Sequence, residues 1–381
     1  MPVPVLHCYA DYKWTGPSGP VARLCRALTG RGWRSDLACM GTGDATGRSL
    51  PGRAREMGLT VCDDFDFESA LHLRKCRADV RGLRELVDGG DYGVVHCHGS
   101  RDHLIGSWAM RGRRGEVPLL RTDHGAHRFR KRLPWRVFYG PPMIDHLIVL
   151  SDRFAFQAAN LLNVSTDFVS TVRGAVDTQK YRPRTPPDGL REHLGFRADD
   201  VIFGVVSRVQ WHRRFDVLLG AAQRVQKLDP RVKVAVCGRG THKKEILDDP
   251  VVEMGLEETV FPLGYRRDDY LDVLATFDAG VMLVPGSDAS CRAAMEMAAM
   301  ETPLIVSQRG TLPDIVRDGE TGMVIDDTPE NLAEAMLEMT ADPVRRREMG
   351  AAARERMKTV FSPDVQAEKI IHVYEQLLAE R

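Results

Sequence analysis

The chain has 381 residues, 43% of them apolar, which is longer than a single hydrophobic core ordinarily supports and unremarkable in composition for a folded protein. Its 53 basic and 53 acidic residues cancel, so no general attraction to nucleic acid or to an anionic membrane is expected. The eight cysteines contain no C-x-x-C pair, no apolar run reaches the length of a membrane span, and Met1-Pro-Val-Pro-Val-Leu-His7 is too short and uncharged for a signal peptide, so the expectation is a cytoplasmic protein with reduced, buried thiols.

In the first half, short apolar strands are predicted at Val3 to Tyr9, Ser35 to Met40, Gly93 to Cys97, Leu119 to Thr122, His146 to Leu150 and Val169 to Val172. After the first strand, Trp14-Thr15-Gly16-Pro17-Ser18-Gly19-Pro20 leads into a helix with Val21, Leu24, Cys25 and Leu28 on one face, and Pro20 suits its first position. Asp64-Phe-Asp66 follows a short strand at Leu59 to Val61 and precedes a helix near Phe67, so its acids read as caps and not as a metal site. His96-Cys-His98 and Asp123-His124-Gly125-Ala126-His127 gather histidines at strand ends. With Cys97 facing away from its neighbours and no well-spaced third ligand, no metal site is expected. Residues 128–139 are basic and aromatic, with Pro134 interrupting any long helix; a solvated loop and a surface for a membrane or lipid-linked acceptor are both open there.

Lys180-Tyr-Arg-Pro-Arg-Thr-Pro-Pro-Asp-Gly189 reads as an interdomain linker. Beyond it, strands are predicted at Val201 to Ser207, Val232 to Cys237, Thr259 to Pro262, Gly280 to Val284, Leu304 to Ser307 and Met323 to Ile325. Arg208 follows the first of these, and Arg213-Arg214 open a helix carrying Phe215, Leu218, Leu219 and Ala222. Cations at a helix N-terminus oppose the macrodipole and call for an anion. Gly238-Arg-Gly240 and Leu263-Gly264-Tyr265 end the next two strands. Asp288-Ala-Ser-Cys-Arg-Ala-Ala-Met-Glu296 then forms a strand-to-helix turn bracketed by two carboxylates, with Ser290, Cys291 and Arg292 at the turn. Taken alone, the two acids also describe a turn former and a solvated helix residue. The final segment places Ile370, Val373, Tyr374 and Leu377 on one helical face.

Asp288 to Glu296 resembles the E-x7-E motif of the family-four retaining glycosyltransferases of the GT-B fold, with Asp288 in place of the first Glu. The likeness continues through Thr302-Pro303, Leu304-Ile305-Val306, Gly310, Leu312-Pro313-Asp314-Ile315-Val316 and Gly319-x-x-Gly322. The family's Arg and Lys pair matches Arg208 and Arg213, with Arg replacing Lys. Departures are Ser290-Cys291 where Phe-Gly is usual, and Arg173-Gly-Ala-Val-Asp177 where Pro-Asn-Gly-Val-Asp is usual.

The resemblance implies an α/β protein of GT-B fold with two Rossmann-like parallel-sheet domains facing across a cleft: residues 1–178 with the terminal helix 361–381 crossing back, and residues 179–360 as the donor domain. It implies a metal-independent, retaining transfer of a hexose from a nucleotide-diphospho-sugar of UDP or GDP type, which is substrate and not cofactor, to a glycan, lipid-linked or small-molecule acceptor. Arg208 and Arg213 would stabilise the departing diphosphate, Glu296 would hold the ribose, and Asp288 and His124 would address the hexose. Gly16, Gly19, Gly238, Gly264, Tyr265, Ser290, Cys291 and Arg292 complete the expected donor site. A GT-B phosphorylase, a sugar-nucleotide epimerase and an inert nucleotide-sugar-binding homologue share these features, and no nucleic-acid partner is implied.

Overall fold

A computed structural model describes residues 2–14, 16–41, 49–67, 72–125, 129–286 and 291–381. The chain divides into two compact units, Met1–Gly174 with Pro363–Arg381, and Ala175–Ser362. The division falls ahead of the proline-rich stretch at 180–189 because Val176 is already buried in the second unit, where its N–H donates to the carbonyl of Phe361 at 2.8 Å.

The first unit is built on β1 (Val5–Tyr9), β2 (Ser35–Met40), β3 (Val61–Phe65), β4 (Val94–Cys97), β5 (Leu119–Asp123), β6 (His146–Val149) and β7 (Val169–Thr171). All neighbours are parallel, in the order β3-β2-β1-β4-β5-β6-β7. Such sheets need cover on both faces, which is why most of these strands are apolar runs and not alternating ones. Ala22, Cys25, Leu50 and Ala54 form one layer of cover. The helix Pro363–Ala379, from the far end of the chain, supplies another: Ile370, Val373, Tyr374 and Leu377 pack with Leu24, Leu28 and Trp33.

The second unit repeats the plan with β8 (Val201–Val206), β9 (Val232–Cys237), β10 (Val260–Gly264), β11 (Ala279–Met282), β12 (Leu304–Ser307) and β13 (Gly322–Ile325). Its order is β10-β9-β8-β11-β12-β13, again parallel. The helices Phe215–Leu228 and Pro329–Ala341 contribute to one core and Arg292–Ala299 to another. Both orders are doubly wound, and each chain path reverses direction between its first and fourth strands. In such sheets ligands collect where the order reverses, beyond the carboxyl ends of the strands. That rule selects the ends of β1 and β4 in one unit and of β8 and β11 in the other.

The expected boundary at Asp64-Phe-Asp66 is corrected. β3 runs through Asp64 to Phe65 and the next helix among the described residues is Leu73–Gly89, so neither acid caps it. Asp66 instead accepts from Lys75 at 3.5 Å, and its N–H donates to Asp79 at 3.1 Å. The helix after β1 begins at Ser18, which places Pro20 third and not first. Residues 133–138 form a short helix where a loop was one expectation, with Pro134 in its first turn, where a missing N–H costs nothing.

Candidate functional site

At the reversal point of the second sheet, the chain leaves β8 through Ser207 and Arg208, makes a tight turn at Trp211–Arg213, and enters the helix Phe215–Leu228 through Arg214, which is left-handed at φ +60°. Arg208 is exposed and makes no side-chain hydrogen bond or ion pair among the described residues. Arg213 behaves differently: it donates to the backbone carbonyl of Val284 at 3.0 Å and to that of Pro285, bracing the segment that follows β11. Arg214 is bound to Asp216 at 3.2 Å and to Asp327 at 2.8 Å, and Arg309 joins the same Asp327 at 2.9 Å. The expectation of cations left unbalanced at a helix N-terminus is therefore corrected, because Arg213 and Arg214 have protein partners without any ligand.

Beyond β11, Asp288 and Ser290 lie outside the described residues. Cys291 precedes the helix Arg292–Ala299 in a left-handed conformation, φ +47°, with its side chain buried and its sulfur 3.3 Å from the Thr311 hydroxyl. Its thiol thus packs in the core of the second unit. Arg292 opens the helix, half-buried. Glu296, only 7% exposed, accepts a hydrogen bond from the Tyr270 hydroxyl at 2.7 Å. Burial, with the Glu296 charge beside it, holds the Tyr270 phenol well above its ordinary pKa, so it is a donor at neutral pH.

The glycines divide by what surrounds them. A Cβ on Gly238 would stand 1.8 Å from the Ser207 carbonyl oxygen, so backbone packing between the segments after β8 and β9 requires glycine at this position. Gly264 is left-handed at φ +72° with open space around it, and Tyr265 beside it is 60% exposed. The Arg239 guanidinium lies 4.7 Å from the Tyr265 ring centroid, a cation–π contact between two exposed side chains.

In the first unit, Gly16 is left-handed at φ +54°, and Gly19 packs against the side chains of Arg23 and Trp14 inside the helix Ser18–Gly30. His124, just past β5, is half-buried. Its Nε2 is 3.1 Å from Nδ1 of His98, whose Nε2 is 2.9 Å from Nδ1 of His7. His96 bonds the Tyr374 hydroxyl at 2.6 Å and the Thr122 hydroxyl at 2.7 Å. Burial pushes His124 down to about 4 and His7 to about 3, and drives His96 and His98 well below the ordinary range.

Among the described residues, the close group of possible metal ligands is His7, His96 and His98, with one atom each mutually within 4.8 Å. Both nitrogens of His96 and both of His98 are already engaged in hydrogen bonds, and the two rings stack with centroids 4.2 Å apart. Ligands radiate from an ion, whereas these rings lie over one another, so the donor set does not fit a metal.

Residues 188–356 match the sequence profile described as "Glycosyl transferases group 1", and residues 20–180 match "Glycosyltransferase Family 4". The chain belongs to the group 1, family-four glycosyltransferases of the GT-B fold. It is similar to D-inositol 3-phosphate glycosyltransferases from Thermobifida fusca, 32% identical over 69% of this chain and 65% of that protein, and from Thermomonospora curvata, 28% identical over 96% and 92%. Among solved structures, a glycosyltransferase from Rickettsia africae superposes at a TM-score of 0.85 with 14% identity, covering 100% of both chains. Anabaena HepE in complex with UDP superposes at 0.79 with 15% identity, covering 98% of this chain and 100% of that one.

For this glycosyltransferase, sequence reasoning missed Tyr270 and Arg239 in the second unit and His7 in the first, each in contact with a candidate residue or within a chain of contacts to one. Tyr270 sits 26 positions before Glu296, too far for any local motif. Arg239 lies within Gly238-Arg-Gly240, where no local pattern signals its contact with the Tyr265 ring. His7, in the interior of β1, reads from sequence as an interruption of an apolar strand. That interruption was the available signal, since a polar side chain in a buried strand must find a partner.

Proposed function

We propose that this glycosyltransferase moves a hexose-type sugar from a nucleotide-diphospho-sugar of UDP type to a polyol or glycan acceptor, with retention of configuration and without a metal. The observation that carries the reading is Glu296, a carboxylate almost wholly buried at the reversal point of the second sheet and held by Tyr270. An acid is kept in such a place when it accepts hydrogen bonds, and a pair of ribose hydroxyls would supply them. Arg208, exposed and without a protein partner among the described residues, would take the diphosphate, while Arg213 would act partly by bracing the segment after β11. Fixed cations would then neutralise the leaving group, the task a metal performs in other transferases. The family resemblance assigns the hexose to Asp288 and His124. UDP is favoured because structural neighbours were crystallised with UDP and UDP-glucose, and an inositol phosphate is the first acceptor to try because of the relatives' names.

Exposed Leu133 and Val137 among Arg130, Lys131, Arg132 and Arg136 would serve a lipid-linked acceptor, and flotation with anionic liposomes is the check. Among the described residues no helix is long and apolar enough to cross a membrane.

The test is to supply UDP-glucose, UDP-N-acetylglucosamine or GDP-mannose with inositol 3-phosphate in excess EDTA, and to follow nucleotide release and the anomeric proton by NMR. Acceptor-dependent release giving the donor's own anomeric configuration is expected. An inverted product, complete loss in EDTA restored by magnesium or manganese, or an epimerised sugar nucleotide with no glycoside would each overturn the corresponding part of the proposal.

A further inference from the structure

The first unit holds a buried cation whose hydrogen-bond partners are all neutral. Arg121, on β5 and only 2% exposed, donates to Nδ1 of His103 at 2.7 Å, to the Ser100 hydroxyl at 3.3 Å and to the Tyr139 hydroxyl at 3.2 Å. Asp102 and Asp123 bear on this group from a distance, and their bonds go to the backbone N–H groups of His98, Gly99 and Gly125. Among the described residues no carboxylate pairs with Arg121. Taking a guanidinium out of water without an anion beside it is costly, so a site of this kind favours a ligand that brings one.

A guanidinium can only donate. Each hydroxyl therefore accepts from Arg121 and keeps its own proton, and burial raises the Tyr139 phenol to about 12, so that proton stays in place at neutral pH. One of the two protons can be spent between the hydroxyls themselves; the other has no acceptor among the described residues. Both hydroxyls line a cavity of about 400 Å³ whose remaining walls are Pro134, Trp135 and Phe138, room enough for one substituted ring. Trp135 and Tyr139 stack there, 5.4 Å between centroids and 9° between planes. Aromatic walls can hold a cation through their negative faces, but here the Arg121 guanidinium already stands 4.4 Å from the Tyr139 centroid and 5.4 Å from that of Phe138, so a second cation is repelled.

We infer that this cavity binds a soluble polyol ring carrying a phosphate ester, with the unspent hydroxyl proton of Ser100 or Tyr139 donated to the phosphate, the aromatic walls against the ring, and Arg121 behind the hydroxyls as a positioning residue that supplies the charge. That this molecule is the sugar acceptor rests on the proposed transfer, whereas the anion site itself does not.

The experiment is calorimetric titration of the full chain with inositol 3-phosphate and with myo-inositol, each with and without saturating UDP. The ester should bind at least about tenfold more tightly than the uncharged ring, the worth of one hydrogen bond to a charged group. At least one of Ser100→Ala and Tyr139→Phe should remove about that factor for the ester while leaving the affinity for myo-inositol and for UDP as it was. Arg121→Gln keeps an N–H toward the hydroxyls and removes the charge, so the ratio of ester to uncharged ring should fall toward one, a change that a merely structural role would not produce. Equal affinity for the two compounds overturns the inference, as does a preference for the ester that survives both hydroxyl variants, or binding to phosphatidic acid vesicles with none to the soluble ester. Should Arg121→Gln fail to fold, the two hydroxyl variants still decide. If the ester binds as stated but is not glycosylated with any of the donors, its role as acceptor fails and the anion site stands.

Discussion

Glu296 has one oxygen occupied by the Tyr270 hydroxyl at 2.7 Å, and the proposed ribose contact would fall to the other, for which no partner is found among the described residues. Glu296→Gln keeps the volume but converts an acceptor-only group into one with a single accepting atom. Nucleotide affinity measured by calorimetry should fall at least about tenfold, since charged hydrogen bonds are worth about 1.5–3 kcal/mol. Tyr270→Phe should weaken binding by a smaller factor in the same direction, because the carboxylate loses its orienting donor; unchanged affinity in both variants would remove Glu296 from the ribose. The arginines separate by their partners. Arg208→Ala removes an exposed side chain without protein partners among the described residues, so the melting temperature should hold while turnover drops roughly 100-fold. Arg213→Ala should lower both, because the carbonyls of Val284 and Pro285 lose their donor, at about 1–3 kcal/mol for each buried acceptor left unmet. Arg213→Lys, which restores the family's usual residue, should retain most activity. An Arg208→Ala protein that melts early, or turns over normally, would place that residue in the scaffold. The family resemblance singles out Arg208, Arg213 and Glu296. It did not show that Arg213 is already bonded, since a carbonyl 71 residues away leaves no trace in the local sequence.

Elements were legible where burial on both faces writes a continuous apolar run. β2, β9 and β12 fall where the sequence places them, and most other strands differ by a residue or two at their ends. The reading failed where polar residues enter a strand. β3 carries Asp63 and Asp64, so its sequence resembles a turn, yet it pairs with β2 through Val61 and Cys62. Glycines were legible as special but not as to why. Gly238 and Gly264 both end strands, and only the structure shows that one touches backbone while the other stands in open space. Their alanine variants should therefore differ. In Gly238→Ala the new methyl meets a carbonyl oxygen that cannot swing aside, so the unfolding midpoint in urea should fall by the equivalent of about 1–3 kcal/mol or more. Gly264→Ala should cost nearer 1 kcal/mol, the penalty of a left-handed residue with a Cβ. Equal midpoints for the two variants would mean that the segments after β8 and β9 can part freely.

At the scale of the whole chain, the twice-repeated alternation of strands and helices was enough to expect two doubly wound units. What it could not show is how unevenly they hold their ionisable groups. His7, His96, His98, His103, His124 and His146 are buried or half-buried, all in the first unit, whereas His193, His212 and His242 of the second are exposed. Burial lowers His7 to about 3 and His124 and His146 to about 4, against an ordinary value of 6.5, and pushes His96, His98 and His103 well below that value. Between pH 6.5 and these lowered values the unfolded chain binds protons that the folded unit refuses, so stability falls as the pH falls through that window. A histidine displaced to about 4 loses on the order of 3 kcal/mol when the window has been crossed. Asp79 and Asp102, whose burial raises their pKa, act the other way as they take up protons in the folded state. They offset part of this loss near the acid end. Six histidines against two carboxylates leave the net effect destabilising, and nothing comparable acts among the described residues of the second unit. The first unit should thus open at a higher pH than the second. Trp14, Trp33, Trp108 and Trp135 belong to the first unit and Trp211 alone to the second, so tryptophan emission follows mainly the first, and hydrogen exchange resolves both. Exchange should rise across β1, β4 and β5 between pH 6.5 and 4 while β8, β9 and β11 stay protected. Simultaneous opening of both sheets, or earlier opening of the second, would show that the buried histidines do not govern acid stability.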